Sequence, residues 1–240
     1  MEIFKRTFRF FLDLLFPPKC ILCQRFYPKL ICPDCLFQLK PFSGKTCSLC
    51  GVPMEGEGNF CPQCSHNPPD YKKALFYGLY EGKLEEAILR FKFQDHPHLA
   101  EPLGQLMVQR WRQSGIKVDL VTSVPISSRR LKVRGYNQAE LLAKVVARGL
   151  GIPYRTLLVK RRETREQSKL KREERLKNVI GVFATYGNED LGGKAVLLVD
   201  DVLTTGATAS ECAKVLQGVG ASAVYVLTLA RGTGTQRPIS

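Results

Sequence analysis

The sequence predicts an α/β protein: a mostly parallel, doubly wound sheet with a small metal-stapled module ahead of it. Three observations carry this expectation. From about residue 74 to residue 230, apolar runs of strand length alternate with helix-period segments, the pattern of βαβ units. One of these runs, Ala195 to Val199, is continuously apolar and ends in Asp200-Asp201. A buried parallel strand ends this way at the carboxyl edge, where open α/β sheets bind ligands. Finally, eight of the nine cysteines lie within the first 64 of 240 residues, too early in the chain to form a disulfide scaffold for all of it.

The composition is that of an ordinary globular protein, with 44% hydrophobic and 24% charged residues, so disorder is not the default. The 36 basic against 22 acidic residues give a net charge of +14. A charge that large suggests a polyanionic partner: nucleic acid, polyphosphate or an anionic membrane.

The elements follow in chain order. Ile3, Phe4, Phe8, Phe11, Leu12, Leu15 and Phe16 recur at helical spacing and predict a short amphipathic helix over about residues 1–16. Asp13 interrupts its apolar run and no small-residue cleavage site follows, which argues against a signal peptide. The run is also far short of the roughly 20 residues of a membrane span, so no transmembrane segment is expected. Docking on the rest of the protein is the expectation; surface contact with a membrane through Lys5, Arg6 and Arg9 is the alternative. The expected compartment is the cytoplasm.

Residues 17–66 hold four C-x-x-C pairs: Cys20/Cys23, Cys32/Cys35, Cys47/Cys50 and Cys61/Cys64. Two residues between thiolates let both sulfurs face one tetrahedral ion, and four pairs supply two complete four-cysteine sites. In a reducing compartment metal binding beats cross-linking, and redox-inert zinc suits four thiolates better than an iron–sulfur cluster suits these compact loops. The pairs can group sequentially or in a cross-braced arrangement. Either way the sites are structural, since four thiolates leave no position for water.

After a Pro-containing linker at about 67–72, a second domain is expected over 71–232, with a polar tail at 233–240. Within it the sequence predicts strand 74–80, helices 83–93 and 99–114, strand 119–124, helix 136–149 and strand 153–159. A basic loop over 160–178, strand 179–186, strand 194–199, helix 206–217 and strand 222–230 complete the sheet. His66, His96 and His98 complete no site, and Met54, Met107, Trp111 and Cys212 read as packing.

The charge is unevenly spread. Residues 1–70 carry a net +2 and residues 71–240 a net +12. Most of the excess lies in two segments, Arg129-Arg130-Leu131-Lys132-Val133-Arg134 and residues 155–177. After Asp200-Asp201 come Thr204, Thr205, Gly206, Ala207 and Thr208, and then a helical pattern. Hydroxyls and backbone N–H groups at a Gly-containing helix N-terminus make an anion cradle. Two carboxylates just before it suit the paired hydroxyls of a ribose. A phosphate at one end and a diol at the other describe a ribose 5-phosphate. No Gly-Lys-Ser/Thr is present, which excludes a Walker A loop.

This run resembles the phosphoribosyl pyrophosphate (PRPP) signature of type I phosphoribosyltransferases. The resemblance implies that Asp200 and Asp201 act on the ribose hydroxyls, as the catalytic pair, and that Thr204 to Thr208 wrap the 5-phosphate. Upstream, Val124-Pro125, a basic loop and Arg134-Gly-Tyr-Asn-Gln-Ala-Glu-Leu-Leu-Ala143 resemble the ComF family, as do Thr164, Gln167, Arg175, Asn178 and Phe183. Ser127 stands where a bulkier residue is common, and Tyr136 replaces the commoner Phe; neither change removes a phosphate-binding group. The resemblance implies a type I phosphoribosyltransferase-like fold behind a double zinc ribbon, with Arg129, Arg130 and Arg134 in a pyrophosphate loop. It also implies Mg2+ bridging pyrophosphate and ribose oxygens, and a role in natural competence and transformation. The expected partners are PRPP, incoming single-stranded DNA and other competence proteins, such as a helicase or a DNA-processing protein. Arg165, Lys169, Lys171, Arg172 and Arg175 of the basic loop are candidates for either pyrophosphate or nucleic acid. Two other readings compete: a plain phosphoribosyltransferase acting on a small acceptor, and a zinc-ribbon adaptor that senses sugar phosphates without turnover.

Overall fold

The computed structural model describes residues 17–162, 179–187 and 189–232. The expected N-terminal helix, the tail at 233–240 and most of the basic loop, with Arg165, Lys169, Lys171, Arg172 and Arg175, lie outside them.

The chain opens with two ribbons built alike. In each, the first C-x-x-C pair sits on a turn and the second at the start of a short helix, α1 (Pro33–Gln38) or α2 (Pro62–His66). Cys32 and Cys61 occupy the N-cap positions of these helices, each followed by the proline that favours a helix's first turn. Both ribbons dock on β1 (Lys73–Leu79): Ala74 N–H donates to the Leu49 carbonyl at 2.7 Å, and Phe42 N–H to the Tyr77 carbonyl at 2.8 Å. The exposed edge of that strand is thereby covered.

Next come α3 (Gly82–Phe93) and α4 (Ala100–Arg112), and then β2 (Leu120–Ser123). α3 forms because Leu84, Ala87, Ile88 and Phe91 fall at helical spacing and are all buried. α5 (Ser128–Arg134), α6 (Gln138–Leu150), β3 (Leu158–Lys160) and β4 (Phe183–Thr185) follow. β5 (Ala195–Leu203), α7 (Ala207–Gly218) and β6 (Ala223–Arg231) end the described chain.

The main sheet has the order β1-β6-β5-β2 and every pairing in it is parallel. Its two faces pack different layers. Leu197 and Val199 join the core beneath α3, α4, α6 and the first ribbon, whereas Val196 and Leu198 join the one beneath α7 and the β3-β4 hairpin. Both faces being covered explains why β5 is apolar without alternation. Met107, Trp111 and Cys212 are buried in these cores as expected.

Three boundaries differ from the sequence reading. The stretch after Pro125, expected as a loop, winds into α5, because Ser127 Oγ accepts from Arg130 N–H and Gly135, at φ 80°, supplies the left-handed C-cap. β5 does not stop at Val199: its register with β6 continues through Asp200–Thr228 to Leu203–Arg231. The strands expected at 153–159 and 179–186 shrink to a three-residue antiparallel hairpin, with Tyr154 adding only an isolated bridge to Val121. Among the described residues, no helix is long and apolar enough to cross a membrane.

Candidate functional site

The cysteines form two clusters. The sulfurs of Cys20, Cys23, Cys32 and Cys35 lie within 4.8 Å of one another, and so do those of Cys47, Cys50, Cys61 and Cys64. The grouping is therefore sequential, not cross-braced. Four thiolates on a zinc ion at about 2.3 Å place their sulfurs about 3.8 Å apart. The Cys23–Cys32 and Cys50–Cys61 sulfur separations are both 3.7 Å. Backbone N–H groups stabilise the anions: Cys32 N–H donates to Cys20 Sγ at 3.3 Å and Cys61 N–H to Cys47 Sγ at 3.4 Å. Hydrogen bonds from the Arg25 backbone and guanidinium pull the Cys23 pKa down to about 6. Burial raises that of Cys47, but N–H groups of Cys50 and Cys61 outweigh it and bring it to about 7. Both sets of four cysteines fit zinc.

The acid pair lies in the last turns of β5, at the carboxyl edge of the sheet. Adjacent strand residues face opposite sides. Asp201, buried, faces α3, where Lys92 Nζ lies 2.9 Å from its Oδ2. The contact is an ion pair without hydrogen-bond geometry, so that oxygen has no hydrogen-bond partner among the described residues. Asp200, half-buried, lies on the α7 side, where burial and the Asp200 charge hold the Cys212 thiol well above its usual pKa. Burial and the neighbouring Asp201 charge push the Asp200 pKa up to about 8, with Lys92 pulling the other way.

Sequence reasoning missed Lys92. Its signal is faint: a lysine at the end of an amphipathic helix is usually a solvated charge, yet this side chain is only 18% exposed.

Of the three predicted arginines, Arg134 is brought to the acid pair. It is half-buried, feels the Asp201 charge, donates to Gln138 Oε1 and lies 5.1 Å from the Phe93 ring centre. Arg130 lies one helical turn before it and close enough to repel it, while Arg129 and Arg130 are both exposed.

The predicted phosphate loop joins β5 to α7. Gly206, at φ 83°, is the N-cap, and Thr205 Oγ1 accepts from Ala207 N–H at 3.3 Å. Only glycine fits there: a Cβ would meet the buried Tyr71 hydroxyl at 2.8 Å as well as adopting a left-handed backbone. Behind the loop, a cavity of about 340 Å3 separates it from the second ribbon, with Tyr71, Ser210 and Arg231 among its walls. Arg231, buried at the end of β6, was not singled out from the sequence. An arginine closing an otherwise buried apolar strand is the signal that could have found it.

Comparison with known proteins bears on this geometry. The model of the double zinc ribbon domain matches residues 11–65, and that of the phosphoribosyl transferase domain matches residues 137–240. Competence protein F of Haemophilus influenzae is 31% identical over 223 residues, 89% of this chain and 96% of that protein. DNA utilization protein YhgH of Escherichia coli is 31% identical over 191 residues, 77% of this chain and 83% of that one. Competence protein ComFC of Streptococcus pneumoniae is 29% identical over 231 residues, 89% of this chain and all of that one. Two sequential four-cysteine ribbons docked on the parallel sheet of a phosphoribosyltransferase-like domain, together with relatives matched over most of their length, place this chain in the ComF family of competence proteins.

Proposed function

We propose that the protein binds PRPP at the carboxyl edge of the sheet and acts in natural competence, handling incoming single-stranded DNA. The observation that carries the PRPP reading is the acid pair near the carboxyl end of the largely buried parallel strand β5, with the Gly206-capped start of α7 a short loop further on. The first amides of α7, together with Thr204, Thr205 and Thr208, would hold the 5-phosphate. Asp200 and Asp201 would accept from the ribose hydroxyls. Arg134, with Arg129 and Arg130 on the same short helix, would offset the pyrophosphate charge. With such an arrangement, loss of pyrophosphate from ribose C1 would be helped by fixed positive charge in place of proton transfer.

Mg2+ brought in with PRPP would supply further positive charge to offset the pyrophosphate, with Asp200 and Asp201 as the carboxylates available to it. The donors fit an ion carried by the ligand: among the described residues, only the two cysteine clusters gather three or more metal-binding side chains.

The competence role rests on the relatives' names. The DNA reading has two further supports, the net charge of +14 and the ribbon surface. On that surface Phe26 and Phe37 are 69% and 80% exposed, and Lys19 lies over the Phe26 ring at 5.1 Å. Exposed rings beside cations suit stacked bases of a single strand.

Calorimetric titration of PRPP with Mg2+ tests the site. Asp200→Asn combined with Asp201→Asn is expected to weaken binding at least about 100-fold, as befits two lost charged hydrogen bonds. Unaltered affinity in the double variant would remove the assignment.

A further inference from the structure

We propose that Arg231 is a positioning residue that ties metal occupancy of the second four-cysteine site to the shape of the phosphate loop. The proposal rests on reading residues 204–208 as that loop.

The Arg231 side chain reaches both structures at once. Its Nε donates to the Cys50 carbonyl at 3.1 Å, inside the second metal cluster. Its Nη1 donates to the Leu203 carbonyl at 2.9 Å, to that of Thr204, and to that of Gly232 at 2.7 Å. Leu203 and Thr204 are the two residues that lead from β5 into the loop. A planar guanidinium with bonds on two sides transmits displacement, as a flexible ammonium would not.

The charge points the same way. Arg231 is only 5% exposed, and among the described residues no carboxylate pairs with it. A buried cation bonded to carbonyls alone is costly unless a negative charge stands nearby. Four thiolates around a divalent ion leave the cluster doubly negative, and the Arg231 guanidinium is bonded to the carbonyl of one of its ligands, Cys50. The metal-bound ribbon thus supplies the counter-charge for the guanidinium that holds the loop. Without the metal, the ribbon loses its shape, the Cys50 carbonyl moves, and Arg231 releases Leu203 and Thr204. Among the described residues, the first ribbon has no such hydrogen-bonded link to the loop.

Coupling of this kind is reciprocal, so ligand on the loop must tighten metal binding in the second ribbon and protect it against a chelator. The experiment is a chelator challenge of the full-length, two-zinc protein, with pulsed alkylation of freed thiols read peptide by peptide. Saturating ribose 5-phosphate is expected to slow labelling of Cys47, Cys50, Cys61 and Cys64 at least about fivefold, leaving Cys20, Cys23, Cys32 and Cys35 unchanged. Arg231→Met, still holding two zinc ions, should lose this protection. It should also bind ribose 5-phosphate at least about fivefold more weakly while keeping its affinity for pyrophosphate, a split that general loosening would not produce. Arg231→Lys, which keeps the charge but not the fork, serves if Arg231→Met fails to fold, and should also lose the protection. If ribose 5-phosphate binds the wild type without protecting the second ribbon, or protects both ribbons alike, the coupling is overturned. If ribose 5-phosphate does not bind at all, the phosphate-loop reading falls instead. The coupling is then judged by amide exchange at 203–208, which must rise when Cys64→Ser removes the second metal; unchanged exchange overturns it.

Discussion

Asp200 is the residue whose chemistry depends most on its surroundings. Burial and the Asp201 charge lift its pKa from 3.8 to about 8. A carboxyl with a raised native pKa binds more protons folded than unfolded, so its contribution to stability is full below about pH 4 and is lost as pH rises to 8. Asp200→Asn lacks this dependence and should gain stability relative to the wild type between pH 5 and pH 8, by an amount on the order of 4 kcal/mol. Denaturant titrations across that range read the difference, and parallel curves would mean that Asp200 is charged throughout. If Asp200 accepts from the ribose diol as proposed, PRPP affinity should rise with pH up to about 8 and then level off. The acid pair was legible in the sequence because two adjacent carboxylates at the end of an apolar run seldom serve packing. Lys92 and Arg231 were not, because each gains its role only when α3 or β6 is packed against partners more than 25 residues away.

At the scale of elements, the two ribbons look equivalent in sequence and are not equivalent in packing. Cys20, Cys32, Cys35, Leu22, Ile31 and Leu39 belong to the same core as α3, α4 and α6. The second ribbon keeps a small cluster of its own, Cys47, Cys50, Cys61 and Cys64 with Leu49, Val52 and Met54 around them. Loss of the first metal should therefore unfold part of the main core, whereas loss of the second should disturb β1 through the Leu49 carbonyl and the 203–204 segment through Arg231. Cys35→Ser should lower Tm more than Cys64→Ser does in scanning calorimetry; the opposite order would contradict this division. The C-x-x-C spacing disclosed both metal sites, but nothing in it distinguishes a ribbon that shares the core from one that leans on it. The same limit explains α5. Its start and stop signals, Ser127 and Gly135, are present in the sequence, but a run of four basic residues in seven reads first as an anion loop. Cap and charge are both accommodated by a short helix whose last residue, Arg134, feels the Asp201 charge.

For the whole molecule, the net charge of +14 sorts into a nearly neutral pair of ribbons and a strongly basic sheet domain. Part of that excess lies at the acid pair, where Lys92 pairs with Asp201 and Arg134 feels its charge. The segment 155–177, with a net +6, exceeds what one pyrophosphate requires. A single strand of DNA would use the surplus, and it would do so through counterion release, which ties affinity to salt. For single strands the slope of log affinity against log salt changes by about 0.7 per phosphate neutralised. If Lys169, Lys171 and Arg172 each meet a phosphate, the combined variant Lys169→Gln, Lys171→Gln, Arg172→Gln should flatten the slope by about 2 while leaving PRPP affinity within about twofold. Fluorescence anisotropy with a labelled oligonucleotide at several salt concentrations measures this. A flattened slope with intact PRPP binding would make the basic segment a nucleic-acid contact separate from the sugar-phosphate site. An unchanged slope would move the strand to the first ribbon, where Phe26 stands exposed beneath Lys19 and Phe37 is exposed as well. A joint loss of DNA and PRPP binding would mean that one set of cations serves both polyanions in turn, and that the two ligands compete.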